Sequence, residues 1–154
     1  MRLLIQRVAR ASVEIGGRVH SSIGRGLLVF VGIENADGEE DIEWLCNKLL
    51  HLRIFDDEAG VMNLDVQQAG GDVAVVSQFT LHASTRKGNR PSYIRSAHEE
   101  VSRPLYEAFV RRVGELSGRH VATGVFGADM QVSLVNDGPA VSYTHLRAHE
   151  TVLD

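Results

Sequence analysis

Ser77, Gln78, Phe79 and Thr80 close an apolar run, Val73-Ala74-Val75-Val76, and put two hydroxyls, an amide and an aromatic ring at its end. Continued strand alternation puts Ser77 and Phe79 on one face and Gln78 and Thr80 on the other. Polar side chains on both sides of a strand's end are not core. They either meet a ligand's polar atoms or satisfy backbone at a sheet edge. A second run, Val132-Ser133-Leu134-Val135, ends in Asn136-Asp137-Gly138-Pro139. Proline lowers the cost of a cis peptide bond to about 0.5–1 kcal/mol, against ~2.5–4 for other residues, so Gly138-Pro139 suits a rigid, aimed backbone. The same four residues are also an ordinary turn signal. Directly after Thr80 comes a basic stretch: Arg86, Lys87, Arg90 and Arg95 fall between Val73 and His98, where no Asp or Glu occurs. It reads as a solvated basic loop or as a site for phosphate.

Other chemistries lack their sequence marks. Gly24-Arg25-Gly26 precedes a strand rather than a helix, so it is no dinucleotide or phosphate cradle. No Gly-X-Ser-X-Gly elbow occurs, although a triad assembled in space leaves no such mark. His145, His149 and Glu150 have helical spacing without the His-Glu-X-X-His order, and no metal site is expected there. No cofactor motif is present, and none is expected to be needed. Cys46 lies on the apolar stripe of a helix and reads as inert core.

The elements that must position these groups follow from periodicity and punctuation. Strands are expected over 2–9 and 12–15, then, after Gly16-Gly17, over Arg18–Ile23. Leu27–Ile33 is a continuous apolar run between glycines, as in a strand buried on both faces. A helix over Glu39–Leu52, capped by Asp37, would bury Ile42, Leu45, Cys46, Leu49 and Leu50. Short strand is expected at Met62–Val66 and a longer one at Val73–Thr80. A second helix spans Glu99–Ser117, with Leu105, Ala108, Phe109, Val113 and Leu116 inward and Gly118 as its C-cap. Pro104 tolerates only a first turn cheaply, which moves the regular part toward Ser102. Strands at His120–Phe126 and Met130–Val135 end the pattern. The class is α+β: an antiparallel or mixed sheet closing into a barrel-like core, with two flanking helices.

The chain has 154 residues, 44% hydrophobic and 23% charged, with a net charge of −4 and one cysteine. That suits one domain with its own core, no internal disulfide and a reducing compartment. Met1–Arg7 is too short an apolar run for a signal peptide, and no stretch approaches the roughly 20 apolar residues of a membrane span. A soluble, cytoplasmic protein is expected.

In order and spacing the chain resembles the D-aminoacyl-tRNA deacylases. The residues that carry this are Ser77-Gln78-Phe79-Thr80-Leu81 and Gly138-Pro139, with Leu4 to Val13, Ile23-Gly24-X-Gly26-Leu27-Leu28-Val29, Arg53-Ile54-Phe55-Asp56, Met62-Asn63-Leu64, Val66 to Gly71, Arg90-Pro91-Ser92 and Ala128 to Asp137. The resemblance implies a homodimeric, barrel-like esterase that acts on the 3′ acceptor end of aminoacyl-tRNA, away from membranes. It would free D-amino acids and also remove glycine mischarged on alanine tRNA. Phe79 and Thr80 would act mainly through backbone donors, and Ser77, Gln78, Phe126 and Met130 would line the pocket. Gly138-Pro139 would be a cis dipeptide that enters the other subunit's pocket and excludes L-amino acids. Arg86, Lys87 and Arg90 would meet tRNA phosphates. Two rivals keep the scaffold: a non-catalytic nucleic-acid-binding module, and an esterase of small D-aminoacyl compounds. The likeness spans residues 1–139. Residues 140–154 depart from it, since Ala140-Val141-Ser142 stands where the family places a Thr two residues after the proline, and they read as an atypical, non-native tail.

Overall fold

The computed structural model describes residues 1–139 and the backbone of a short strand at Leu146–Arg147. Its framework is one long strand, β1 (Arg2–Ile15), that changes partner halfway. Arg2–Val8 runs antiparallel to β3 (Gly26–Gly32), and Ala11–Ile15 antiparallel to β2 (Arg18–Ile23). The break expected around residues 10–11 is absorbed instead by register shifts, between Val8 and Arg10 and between Val13 and Glu14. Such bulges bend a strand and strengthen its twist, which starts the sheet curling.

Parallel to β3 lies β6 (Asp72–Ser77), and parallel to β6 lies β7 (Ala122–Thr123). Val8 pairs with both Gly26 and Asn136, so β8 (Met130–Asn136) occupies the opposite edge of β1, followed there by β9 (Leu146–Arg147). These strands make one seven-stranded mixed sheet. It curls until its ends nearly meet: the Ser21 hydroxyl of β2 donates to the Thr123 carbonyl of β7 at 2.6 Å. A separate hairpin pairs β4 (Phe55–Asp56) with β5 (Met62–Leu64). The strand expected at His120–Phe126 shrinks to Ala122–Thr123, and the one at Met62–Val66 loses its last two residues.

The near-barrel explains why β3 is apolar throughout. Leu27, Val29 and Val31 face a core shared with the helices, together with Val73 and Val75 of β6. Leu28, Ala74 and Val76 face the barrel interior with Val8, Ala11 and Val13. Two helices, α1 (Glu39–His51) and α2 (Glu99–Ser117), cover the first of these cores among the described residues. Ile42, Leu45, Cys46, Leu49 and Leu50 are all buried, as the stripe requires, and burial pushes the Cys46 thiol up to about 12. The helices are joined by Arg112, which forks onto Glu43 at 2.7 and 2.9 Å. Tyr106 of α2 reaches the sheet and donates to the Val75 carbonyl at 2.8 Å.

Two terminal details differ from expectation. Gly38, not Asp37, is the N-cap of α1; its N–H is taken by Asp41 at 2.9 Å, while Asp37 accepts from Glu34 N–H and pairs with the N-terminal ammonium. The second helix starts at Glu99 and carries Pro104 in its interior. The carbonyl at Glu100 forgoes its helical bond there, and it lies on an exposed residue where water can serve it. Inward residues of α2 are Ser102, Tyr106, Phe109 and Val113, with Leu105, Ala108 and Leu116 half-buried against the core. Residues 140–145 and 148–154, with His145, His149 and Glu150, lie outside the described residues. Among the described residues no helix is long and apolar enough to cross a membrane.

Gly26 shows how tightly β3 and β6 are joined. It pairs with Asp72, and a Cβ on Gly26 would lie 1.9 Å from the Asp72 carbonyl oxygen. Backbone cannot yield as a side chain can. Gly26→Ala is therefore expected to lower the unfolding free energy by about 3 kcal/mol, the upper end for overpacking, read as a fall in the urea midpoint.

Candidate functional site

β6 stops at Ser77, three residues short of the expected end, and the chain turns into a single 3₁₀ turn over Phe79–His82. The alternation of faces expected for Phe79 and Thr80 is thereby lost. The last rung against β3 is Gln78 N–H to the Val31 carbonyl at 2.8 Å; beyond it the chain crosses over Gly32. That crossing needs glycine, since a Cβ there would sit 2.8 Å from Leu81 Cβ and 3.2 Å from the Gln78 carbonyl oxygen. Leu81 N–H closes the turn onto Gln78 O at 3.3 Å. In a 3₁₀ turn the N–H groups ahead of that first bond, those of Phe79 and Thr80, have no carbonyl partner within the turn. Arg2 Nη1 donates to Leu81 O at 2.6 Å and Ser96 Oγ to Phe79 O at 2.7 Å, so both flanks are fixed.

Ser77, Gln78 and Thr80 are half-buried and Phe79 is exposed. The Thr80 hydroxyl is held by the Gln78 side-chain amide in a close hydrogen bond, rather than by a carboxylate or an imidazole. His82, two residues on, is turned inward: its Nδ1 lies 3.0 Å from Glu34 Oε1, and Glu34 in turn meets Arg95 at 2.7 Å. Burial holds the His82 imidazole below its ordinary range. The Gly32 backbone and Glu34 oppose this, whereas Arg2 and the N-terminus reinforce it.

Gly138-Pro139 is organised by a residue that sequence reading did not single out. Arg7 is only 3% exposed, and its guanidinium donates to Asp137 O at 3.0 Å, to Gly138 O at 3.0 Å and to Ile54 O at 2.7 Å. Asp137 N–H returns a bond to Arg7 O at 2.8 Å. The carboxylates of Asp137 and Asp56 stand 3.4 and 3.6 Å from it. The Gly138–Pro139 peptide bond is cis. A signal for Arg7 did exist: Leu3, Ile5 and Arg7 share the buried phase of β1, and a charge in that phase needs partners.

Within one chain the two signature segments stand apart. Arg7 pairs with Leu27, which pairs with Val73, whereas Leu3, Val31 and Ser77 form another row. The chain leaving β8 runs on from the Arg7 row toward the Ser77 row, but β1 and β3 lie between β8 and β6, three strand spacings or roughly 14 Å. Phe126 follows β7 out of the sheet at the same end as Ser77, but its ring packs on Tyr106 at 5.9 Å and lies under the Arg103 guanidinium at 4.9 Å. Met130 packs against the barrel-interior core and fills the space beside Gly124. Arg86, Lys87 and Arg90 are exposed on a loop closed at its base by the Ser84–Ser92 pair, bonded both ways at 2.8 Å. Among the described residues no group of His, Cys, Asp or Glu is arranged to hold a metal ion.

A curled mixed sheet with two helices, ending one strand in a rigid donor turn, places this chain in the company of known proteins. A sequence model described as D-Tyr-tRNA(Tyr) deacylase matches residues 4–145. A D-aminoacyl-tRNA deacylase of Bacteroides thetaiotaomicron is 59% identical over 139 residues, covering 90% of this chain and 93% of the relative. One of Akkermansia muciniphila is 56% identical over 150 residues, covering 97% and 100%. Among solved structures, a c-Myc DNA unwinding element binding protein superposes with a TM-score of 0.86 at 38% identity, over 90% of this chain and 94% of that one. A probable eukaryotic D-amino acid tRNA deacylase superposes with a TM-score of 0.76 at 18% identity, over 89% and 94%, which speaks to fold alone. Fold and sequence together define a hydrolase of the deacylase class. The chain belongs to the D-Tyr-tRNA(Tyr) deacylase family.

His82 makes the site's support sensitive to acid. Its folded value lies below the ordinary 6.5, so the unfolded chain takes up the proton first. Stability is then full above about pH 6.5 and falls as pH drops through the lowered folded value. Thermal unfolding followed from neutral pH down to about pH 5 is expected to show a steeper loss in the wild type than in His82→Gln. Parallel curves would remove His82 from this role.

Proposed function

We propose that the chain hydrolyses the ester between a D-amino acid and the 3′-terminal adenosine of tRNA, releasing the free amino acid and the tRNA. The observation that carries this reading is the switch from strand to 3₁₀ turn at Gln78, in a chain whose family match runs over residues 4–145. The turn leaves the N–H groups of Phe79 and Thr80 without a carbonyl partner inside it, on a braced backbone, which suits an oxyanion site. An aminoacyl ester is already activated. Positioned water and fixed donors suffice, and the terminal ribose 2′-hydroxyl assists. Thr80 is a poor nucleophile here, because Gln78 holds its hydroxyl and no carboxylate or imidazole among the described residues is bonded to it. Ser77, Gln78, Phe126 and Met130 line the amino-acid pocket on this reading, and Arg86, Lys87 and Arg90 meet the acceptor-end phosphates.

Selectivity is assigned to the Gly138-Pro139 segment of a second subunit. With β1 and β3 lying between the end of β8 and the end of β6, three strand spacings or roughly 14 Å within one chain favour such a pairing over self-contact. Rigid carbonyls on the L side of the bound α-carbon clash with an L side chain, while D residues and glycine pass. Glycine mischarged on alanine tRNA is therefore also a substrate. A homodimer in the cytoplasm fits these assignments, and the lone, buried cysteine fits a reducing compartment.

Hydrolysis of D-tyrosyl-tRNA and L-tyrosyl-tRNA by the purified protein tests the reading: the D ester is expected to be cleaved and the L ester spared. Tight tRNA binding without turnover would indicate a binding module, and equal activity on a simple D-tyrosine ester a small-molecule esterase. Thr80→Ala is expected to keep kcat within about tenfold of the wild type. A loss beyond about 10³-fold, the scale of general acid–base catalysis, would restore a side-chain mechanism.

A further inference from the structure

Beside the candidate site lies an exposed apolar surface that the proposed hydrolysis does not use. The Phe79 ring is 59% exposed, although its backbone is clamped by Ser96. The ring of Tyr93 meets it edge-on, with centroids 5.2 Å apart and planes at 74°. Tyr93 is 39% exposed, and Ile94, next in the chain, is 86% exposed. Large apolar side chains seldom stand this open beside one another without a partner.

This surface is held still. Ser96 N–H closes a turn onto the Tyr93 carbonyl at 3.0 Å, and the Ser96 hydroxyl ties that turn to Phe79 O. Just upstream, the Ser84–Ser92 pair closes the loop that carries Arg86, Lys87 and Arg90. Arg95 follows Ile94, with its guanidinium braced on Glu34. Positive charge therefore borders the apolar surface in sequence on both sides, with no acid between Val73 and His98. Aromatic faces interleaved with cationic side chains suit single-stranded nucleic acid, where bases stack and phosphates are neutralised. A protein partner with an apolar face would gain nothing from the surrounding cations.

We infer that Phe79, Tyr93 and Ile94 form a stacking platform for an unpaired base upstream of the esterified adenosine. The inference rests on the proposed action at the 3′ end of tRNA. It adds a second point of contact: the platform holds the single strand while the Phe79–Thr80 backbone handles the ester. Recognition by stacking is indifferent to base identity, so one platform serves the acceptor ends of many tRNAs.

Steady-state kinetics on two substrates tests this, D-tyrosyl-tRNA and D-tyrosyl-adenosine, the latter lacking any upstream base. Ile94→Ser removes an exposed side chain, and Tyr93→Ala removes a ring. Each variant is expected to raise KM for D-tyrosyl-tRNA by about tenfold, the scale of one lost base stack, while kcat stays within about twofold. Activity on D-tyrosyl-adenosine is expected to match the wild type. Unchanged KM on the tRNA substrate, or equal losses on both substrates, would overturn the platform. So would dissociation of a wild-type dimer into monomers on sedimentation of Ile94→Ser, which would make the surface a subunit contact. Failure of the wild type to cleave D-tyrosyl-tRNA would instead count against the deacylase reading itself.

Discussion

Arg7 carries a permanent charge at a position where water scarcely reaches, and the end of β8 is shaped around that fact. An unpaired guanidinium in such a place would cost several kcal/mol. Three main-chain carbonyls, at Ile54, Asp137 and Gly138, supply the compensation. Asp56 and Asp137 add less, because both carboxylates are largely in water and screened. The consequence is mechanical. The segment after β8 becomes backbone whose carbonyl directions are set by a planar fork, a geometry lysine could not reproduce.

The end of β6 solves a similar problem with a close backbone crossing. Gly32 lets the chain leaving β6 cross close over β3, where it takes up a 3₁₀ turn in place of more strand. The turn orients its leading N–H groups, while Arg2 and Ser96 fasten its carbonyls. On the proposed reading both halves of the reaction, stabilising the oxyanion and rejecting the wrong enantiomer, fall to main-chain atoms. Main chain braced by buried partners reorganises little as charge develops, which is what such stabilisation demands.

The sequence made a good deal of this legible. The apolar stripe of α1 was readable from its period, and the doubly buried run of β3 from its unbroken apolar sequence between glycines, because one meets a core on one side and the other on both. Both helix ranges came within a residue of their observed ends. The Ser77–Thr80 segment was visible as polar groups closing an apolar strand, yet its conformation was not. The turn is accommodated by a close approach of Leu81 to Gly32, distant in sequence. Pro104 misled because exposure of the Glu100 carbonyl, which makes it tolerable, is a property of the surface. Arg7 is marked by its phase on β1, but its partners are hidden for a related reason: they lie near residues 54 and 137, and nothing local announces them.

If the Arg7 fork aims the Gly138 carbonyl, chiral selectivity should depend on it more than turnover does. The direct measurement is the ratio of kcat/KM for D-tyrosyl-tRNA over L-tyrosyl-tRNA in Arg7→Lys and Arg7→Met, with folding verified by circular dichroism. A fall in that ratio of about tenfold or more, with D-ester hydrolysis largely kept, is the predicted result, tenfold being about 1.4 kcal/mol of discrimination. A folded variant that spares the L ester as well as the wild type does would contradict the account.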